Sequence, residues 1–233
     1  MDSTFAFYSQ IIDKMIDEKN YWRYYFLAPY CMDYGWEMDE HTQFNCGATR
    51  GCLVSDECDE VVKFVFDNGD ECEKEAEIYR AAQTMKLDEC FVPCRFVGYY
   101  ERDVYVAEDT DAIMAQTNYS EDPDDWDNIE EKNIVMRHIY LPLYAYTRID
   151  NEDFENRRSD VSDEERIFVK GTHSPLAERS FVVATAFLRE YGEEEFYSLS
   201  DFCSEYEVND LHCGNVGYLN GRVVILDYAG YWR

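Results

Sequence analysis

Apolar and polar positions follow two different periods along this chain. Over residues 4–18, Phe5, Tyr8, Ile11, Ile12, Met15 and Ile16 recur at spacings of three and four. That spacing gathers them on one face and predicts a helix, with Ser3 or Thr4 placed to cap its start. Residues 21–36 hold Trp22, Tyr24, Tyr25, Phe26, Tyr30, Tyr34 and Trp36, which read as an aromatic segment covering a core. A glycine-punctuated turn, Cys46–Val54, and a polar turn, Ser55–Glu60, precede Val61-Val62-Lys63-Phe64-Val65-Phe66, a run of high β propensity. After the turn Asp67–Asp70, the helical period returns over 72–86, with Ala76, Tyr79, Ala82 and Met85 about 3.6 apart. Phe91–Tyr100 and Val104–Glu108 read as two strands joined at Glu101-Arg102-Asp103.

The pattern changes over 109–167. Acidic runs such as Glu121–Asp127 and Asp150–Glu155 read as solvated loops, interrupted by an apolar block, Ile134–Tyr146, part of which is expected to pack. A helix is predicted from about Pro175 to Glu190, ended by Gly192, and a second over 194–206. Beyond it, short apolar runs alternate with turns. Asn220-Gly221 between Val216–Leu219 and Val223–Leu226 is a strong hairpin signal.

Composition narrows the classes of function. The chain has 233 residues, 21 Lys+Arg against 50 Asp+Glu, and a net charge of −29. Phosphate backbones and anionic leaflets are recognised chiefly by Lys and Arg, so direct binding to nucleic acid or to a membrane surface is excluded. A hydrophobic fraction of 46% and an aromatic fraction of 16% predict a folded chain. Nine cysteines at irregular spacing, with no C-x-x-C pair, read as reduced thiols rather than a disulfide framework or a zinc knuckle. Cys90 and Cys94 read as buried thiols near a strand. The start lacks a basic, apolar leader, and no apolar run reaches membrane-spanning length, so a cytoplasmic protein is expected.

The chemistry concentrates in the tail, Val208-Asn209-Asp210-Leu211-His212-Cys213-Gly214-Asn215, followed by the hairpin and Ile225-Leu226-Asp227-Tyr228-Ala229-Gly230. An Asp followed five residues later by an Asn, then a hairpin delivering a second Asp to an aromatic-containing turn, resembles the catalytic centre of the protein-kinase-like superfamily. The N-terminal half supplies matching pieces in order. Gly47 and Gly51 fall where that family has its phosphate-covering loop, Lys63 at its strand lysine, and Glu75 at the helix carboxylate that pairs with the lysine. Val104–Glu108 falls at the hinge, where the backbone of Ala107 and Glu108 would bond adenine. The resemblance covers about 44–109 and 178–230. It is especially close to small kinase-like proteins of bacteriophages, which often carry a D-L-H-x-x-N loop and an I-D-Y-G-like turn.

What the resemblance implies is an α+β, protein-kinase-like bilobal fold with a truncated C-lobe. It divides the chain into an N-terminal helical extension (1–43), an N-lobe (44–108), an acidic insertion (109–177) and a truncated C-lobe (178–233). ATP and Mg2+ are the implied cofactors. Phosphoryl transfer needs a metal against the phosphates and a carboxylate on the attacking hydroxyl. Asp210 takes the hydroxyl, Asn215 and Asp227 the magnesium, and Lys63, held by Glu75, the phosphates. His212 is expected to orient the loop through a ring nitrogen. The chain departs from the family in having two loop glycines, Val208-Asn209 in place of His-Arg, and Asp-Tyr-Ala-Gly at the metal turn. The sequence ends six residues after Asp227, without the activation segment that builds a peptide platform. Two functions follow: a phage-type kinase acting on a host protein, or a non-catalytic acidic binder that mimics nucleic acid on a host partner.

Overall fold

The computed structural model describes residues 1–17, 36–37, 41–46, 50–65, 69–102, 139–149, 156 and 160–229. The aromatic segment 21–35, Gly47, the expected strand 104–108 and the acidic run 121–127 lie outside them. The chain is α+β and divides into two units. Unit 1 comprises Met1–Asp56, Val62–Gly69 and Val97–Tyr144, and unit 2 comprises Glu57–Val61, Asp70–Phe96 and Ala145–Arg233.

In unit 1, helix α1 (Ser3–Asp17) forms as its periodicity predicts. Its cap lies one residue earlier than expected: the Asp2 carboxylate accepts from the backbone N–H groups of Thr4 (3.0 Å) and Phe5 (3.2 Å). A carboxylate there satisfies two orphan donors and complements the helix dipole. Tyr8 and Ile12 are fully buried. Asp13 accepts from the hydroxyl of Tyr100 (3.0 Å) and the guanidinium of Arg102 (2.9 Å), which ties α1 to the strand that carries both residues.

The sheet contains β1 (Trp36–Glu37), β2 (Thr42–Cys46), β3 (Arg50–Ser55), β4 (Glu60–Val65), β5 (Cys94–Arg102) and β6 (Ile139–Thr147), in the order β1-β2-β3-β4-β6-β5. β2, β3 and β4 are consecutive antiparallel neighbours, with Phe44 opposite Leu53, Cys46 opposite Gly51, and Gly51 opposite Phe64. Burial alternates along β2 and β3, whereas Val61–Val65 are all buried, as in a central strand covered on both faces. β6 arises from the apolar block inside the acidic stretch and inserts between β4 and β5.

In unit 2, α2 (Glu71–Met85) buries Cys72, Glu75, Ile78 and Ala82 and ends on Lys86 in the left-handed conformation. The expected face is therefore rotated: Ala82 is buried, but Met85 is 48% exposed and Glu75 is fully enclosed. α3 (Asp163–Gly171) starts in a capping box. Ser162 Oγ accepts from Glu165 N–H, and the Glu165 carboxylate accepts from Ser162 N–H (2.9 Å). The helix expected from Pro175 starts twice. α4 (Pro175–Arg179) ends at Ser180, whose extended backbone and hydroxyl then cap α5 (Phe181–Glu205). Gly192, at φ 84°, breaks α5 where the sequence predicts a stop. Phe187, Phe196 and Phe202 of α5 pack with Phe91 and Val169 in one core.

Candidate functional site

α5 leads directly into the chemistry-bearing tail. Val208 and Leu211, both fully buried, anchor the segment on either side of Asp210 and leave the Asp210 side chain 16% exposed. A short 3-10 turn, Cys213–Asn215, follows. Its cap is His212: Nδ1 accepts from Gly214 N–H at 3.0 Å. A ring accepting at Nδ1 carries its proton on Nε2, which faces Asp210 Oδ2 at 3.7 Å. His212 thus orients the loop through a ring nitrogen.

Asn215 closes the loop. Its Nδ2 donates to the backbone carbonyl of Asp210 (2.8 Å) and to Asp210 Oδ2 (3.0 Å). The two bonds fix which way the amide faces, so Oδ1 is directed away from Asp210 as an oxygen donor. The Asn215 carbonyl accepts from Leu226 N–H at 2.8 Å, one step beyond the last pair of the hairpin, Val216 opposite Ile225. That hairpin is β7 (Val216–Leu219) and β8 (Arg222–Ile225). Its two-residue turn has Asn220 at φ 53° and Gly221 at φ 81°, the conformation that Asn-Gly favours. The turn sets the register, and the register returns Leu226, and with it Asp227, to the end of the loop.

The residues after Asp227 are held by burial. Tyr228 and Ala229 are fully buried. The Tyr228 hydroxyl donates to the Val92 carbonyl (2.9 Å), and its ring meets Phe91 edge-on at 5.2 Å. Val92 N–H in turn donates to the Ile225 carbonyl (2.9 Å). Tyr228 N–H donates to Glu75 Oε1 at 3.1 Å. Burial raises the Tyr228 phenol well above its ordinary range, so the hydroxyl stays protonated and donating. The aromatic character of the turn is legible in the sequence; the clamp of Tyr228 on Val92 is not, because Val92 lies 136 residues away.

Unit 2 therefore brings Asp210, Asn215, the Asp227-Tyr228 turn and Glu75 into one linked set. Lys63 and Gly51 belong to unit 1. Lys63 is 8% exposed on β4, in register with Cys52. Gly51 is buried where an added Cβ would lie 2.5 Å from the Phe64 ring and 2.9 Å from Phe44, so the packing of those rings alone requires glycine. Gly47, Ala107 and Glu108 lie outside the described residues.

Asn Oδ1 and a carboxylate are the hard oxygen donors that magnesium prefers, and magnesium takes few ligands from a protein when phosphates supply others. Among the described residues no group of three or more His, Cys, Asp or Glu side chains forms a self-sufficient metal cage. No helix among them is long and apolar enough to cross a membrane. Comparison of the chain with known protein-family models and with curated proteins finds no match.

Proposed function

We propose that this chain is a protein-kinase-like phosphotransferase dependent on ATP and magnesium, with a bilobal kinase-like fold, acting on a host protein. The observation that carries the reading is the double bond-pair from the Asn215 amide to Asp210, with Asn215 itself tied to Leu226. One short loop thereby presents a carboxylate and an amide oxygen with separate orientations, beside the strand end that leads into Asp227.

In this reading Asp210 orients the acceptor hydroxyl and takes its proton as the phosphoryl group leaves ATP. Asn215 and Asp227 hold magnesium, which when bound offsets charge on the phosphates. Lys63 supplies positive charge to the same phosphates, with Gly47 and Gly51 in the covering loop and Ala107 and Glu108 at adenine. Glu75, paired with Lys63 in the family, also receives Tyr228 N–H here and so positions the turn that bears Asp227.

Transfer of labelled γ-phosphate from ATP, to the chain itself or to host-cell protein, tests the reading. Wild type should transfer label in magnesium, and Asp210→Ala and Asp227→Ala should each lose about a hundredfold or more. Equal transfer by wild type and both variants contradicts it. No transfer by wild type in magnesium would leave a binder that acts by contact.

A further inference from the structure

His212 has a ring with two working edges. Nδ1 accepts from Gly214 N–H at 3.0 Å, which leaves the ring proton on Nε2. The ring also lies against Gly214. A Cβ added there would stand 2.9 Å from the ring Cε1 and 3.1 Å from Nδ1. The backbone at Gly214 has no positive φ, so the ring, rather than the turn, requires glycine at this position. Gly214 is thus the seat of the imidazole.

The seat aims Nε2–H at one particular oxygen of Asp210, Oδ2, 3.7 Å away. Asn215 Nδ2 donates to that same oxygen at 3.0 Å. Among the described residues no hydrogen bond reaches Asp210 Oδ1. Donors gathered on one carboxylate oxygen draw charge from it and leave the other as the more basic atom. One donor alone also leaves the carboxylate able to turn about Cβ–Cγ, a broad torsion in aspartate, and a second on the same oxygen resists that rotation.

We propose that His212, seated by Gly214, is a positioning residue for Asp210: it holds Oδ2 so that Oδ1 is the atom that takes the proton of the acceptor hydroxyl. His212 itself touches neither the acceptor nor the metal. A separation of 3.7 Å is longer than a formed hydrogen bond; bonds around a catalytic base are often long in the free enzyme and tighten when substrate is bound. This role rests on the phosphotransferase reading, since it needs a hydroxyl to be deprotonated at Asp210. It adds to that reading the oxygen that acts and the pair of residues that selects it.

Steady-state transfer of labelled γ-phosphate from ATP by the full chain tests it. His212→Asn keeps a side-chain oxygen able to accept from the N–H two residues on, as Asn does in turns, and removes the Nε2 donor. It should lower kcat about tenfold and leave KM for ATP within about twofold. Gly214→Ala, which pushes the ring from its seat, should lower kcat to a similar extent. Added to His212→Asn, it should cost less than about twofold more, because both changes act through one ring. Wild-type kcat in His212→Asn overturns the proposal, as does a change confined to KM, or a double variant whose loss is the product of the two single losses. No transfer by wild type overturns the phosphotransferase reading and this role with it. Should a variant fail to fold, nitrogen NMR of isotope-labelled histidine decides: the His212 Nε2–H signal should move in Asp210→Asn, and an unmoved signal overturns the proposal.

Discussion

The two segments joined through the β7–β8 hairpin are held by opposite means. On the loop side, Asp210, His212, Gly214 and Asn215 are linked by polar bonds at a partly exposed edge. On the turn side, Tyr228 and Ala229 are fully buried, and Tyr228 is bonded at both its backbone and its hydroxyl. The loop can therefore be altered chemically without disturbing the core, whereas the turn bearing Asp227 is itself a piece of the core. A site built this way keeps the position of Asp227 through packing and the Asp210 carboxylate through hydrogen bonds.

The contrast breaks most readily at Tyr228. Tyr228→Ala removes a fully buried ring and its edge-on contact with Phe91, and should cost about 3–5 kcal/mol in urea unfolding, the range of large-to-small core changes. A loss under about 1 kcal/mol would mean that the turn is not core. Asn215→Ala is the matching change on the other side. It should lower stability by only about 1 kcal/mol, because the bonds it deletes are partly exposed, while labelled-phosphate transfer falls about a hundredfold. A large stability loss there would erase the distinction.

The smallest effect sets the scale for exposed polar links elsewhere in unit 2. The Arg189 guanidinium, then the Ser162 cap, hold the Glu165 carboxyl down to about 2. Its ordinary value in an unfolded chain is about 4.3. A depressed carboxylate contributes stability above the unfolded value and loses it as pH falls toward the folded one. Wild type should therefore lose stability between about pH 4.3 and pH 2 through this group, and Glu165→Gln should lose less over that window. Parallel acid-melting curves for the two proteins would show that Glu165 does not report on the α3 start. Since the pair is partly exposed, the difference should be small.

How far these features could be read in advance depends on the distance over which each is decided. The Asn220-Gly221 turn was legible because two residues and their φ values specify it. The break at Gly192 was legible for the same reason. α1 is legible as a helix, but its cap is not, because hydroxyls and carboxylates cap equally well and Asp2, Ser3 and Thr4 compete at adjacent positions. The buried face of α2 is hidden from the periodicity because a carboxylate counts as polar in any such pattern. Glu75 is buried because a backbone N–H 153 positions away needs an acceptor. β6 was hidden by the acidic residues around it. Its place between β4 and β5 is fixed by pairing across the sheet, which no local pattern encodes. The Asp210, Asn215 and Asp227 set stands out as a spacing, and the structure adds the bonds that orient Asp210 and Asn215.

The proposed function requires Asp210, Asn215 and Asp227 to serve a magnesium nucleotide. Isothermal titration of a non-hydrolysable ATP analogue into the full chain, with magnesium and with chelator, tests it most directly. The account predicts saturable binding in magnesium that weakens at least about tenfold in chelator and in Asp227→Ala. No binding at millimolar analogue, or equal affinity with and without magnesium and in Asp227→Ala, would contradict it.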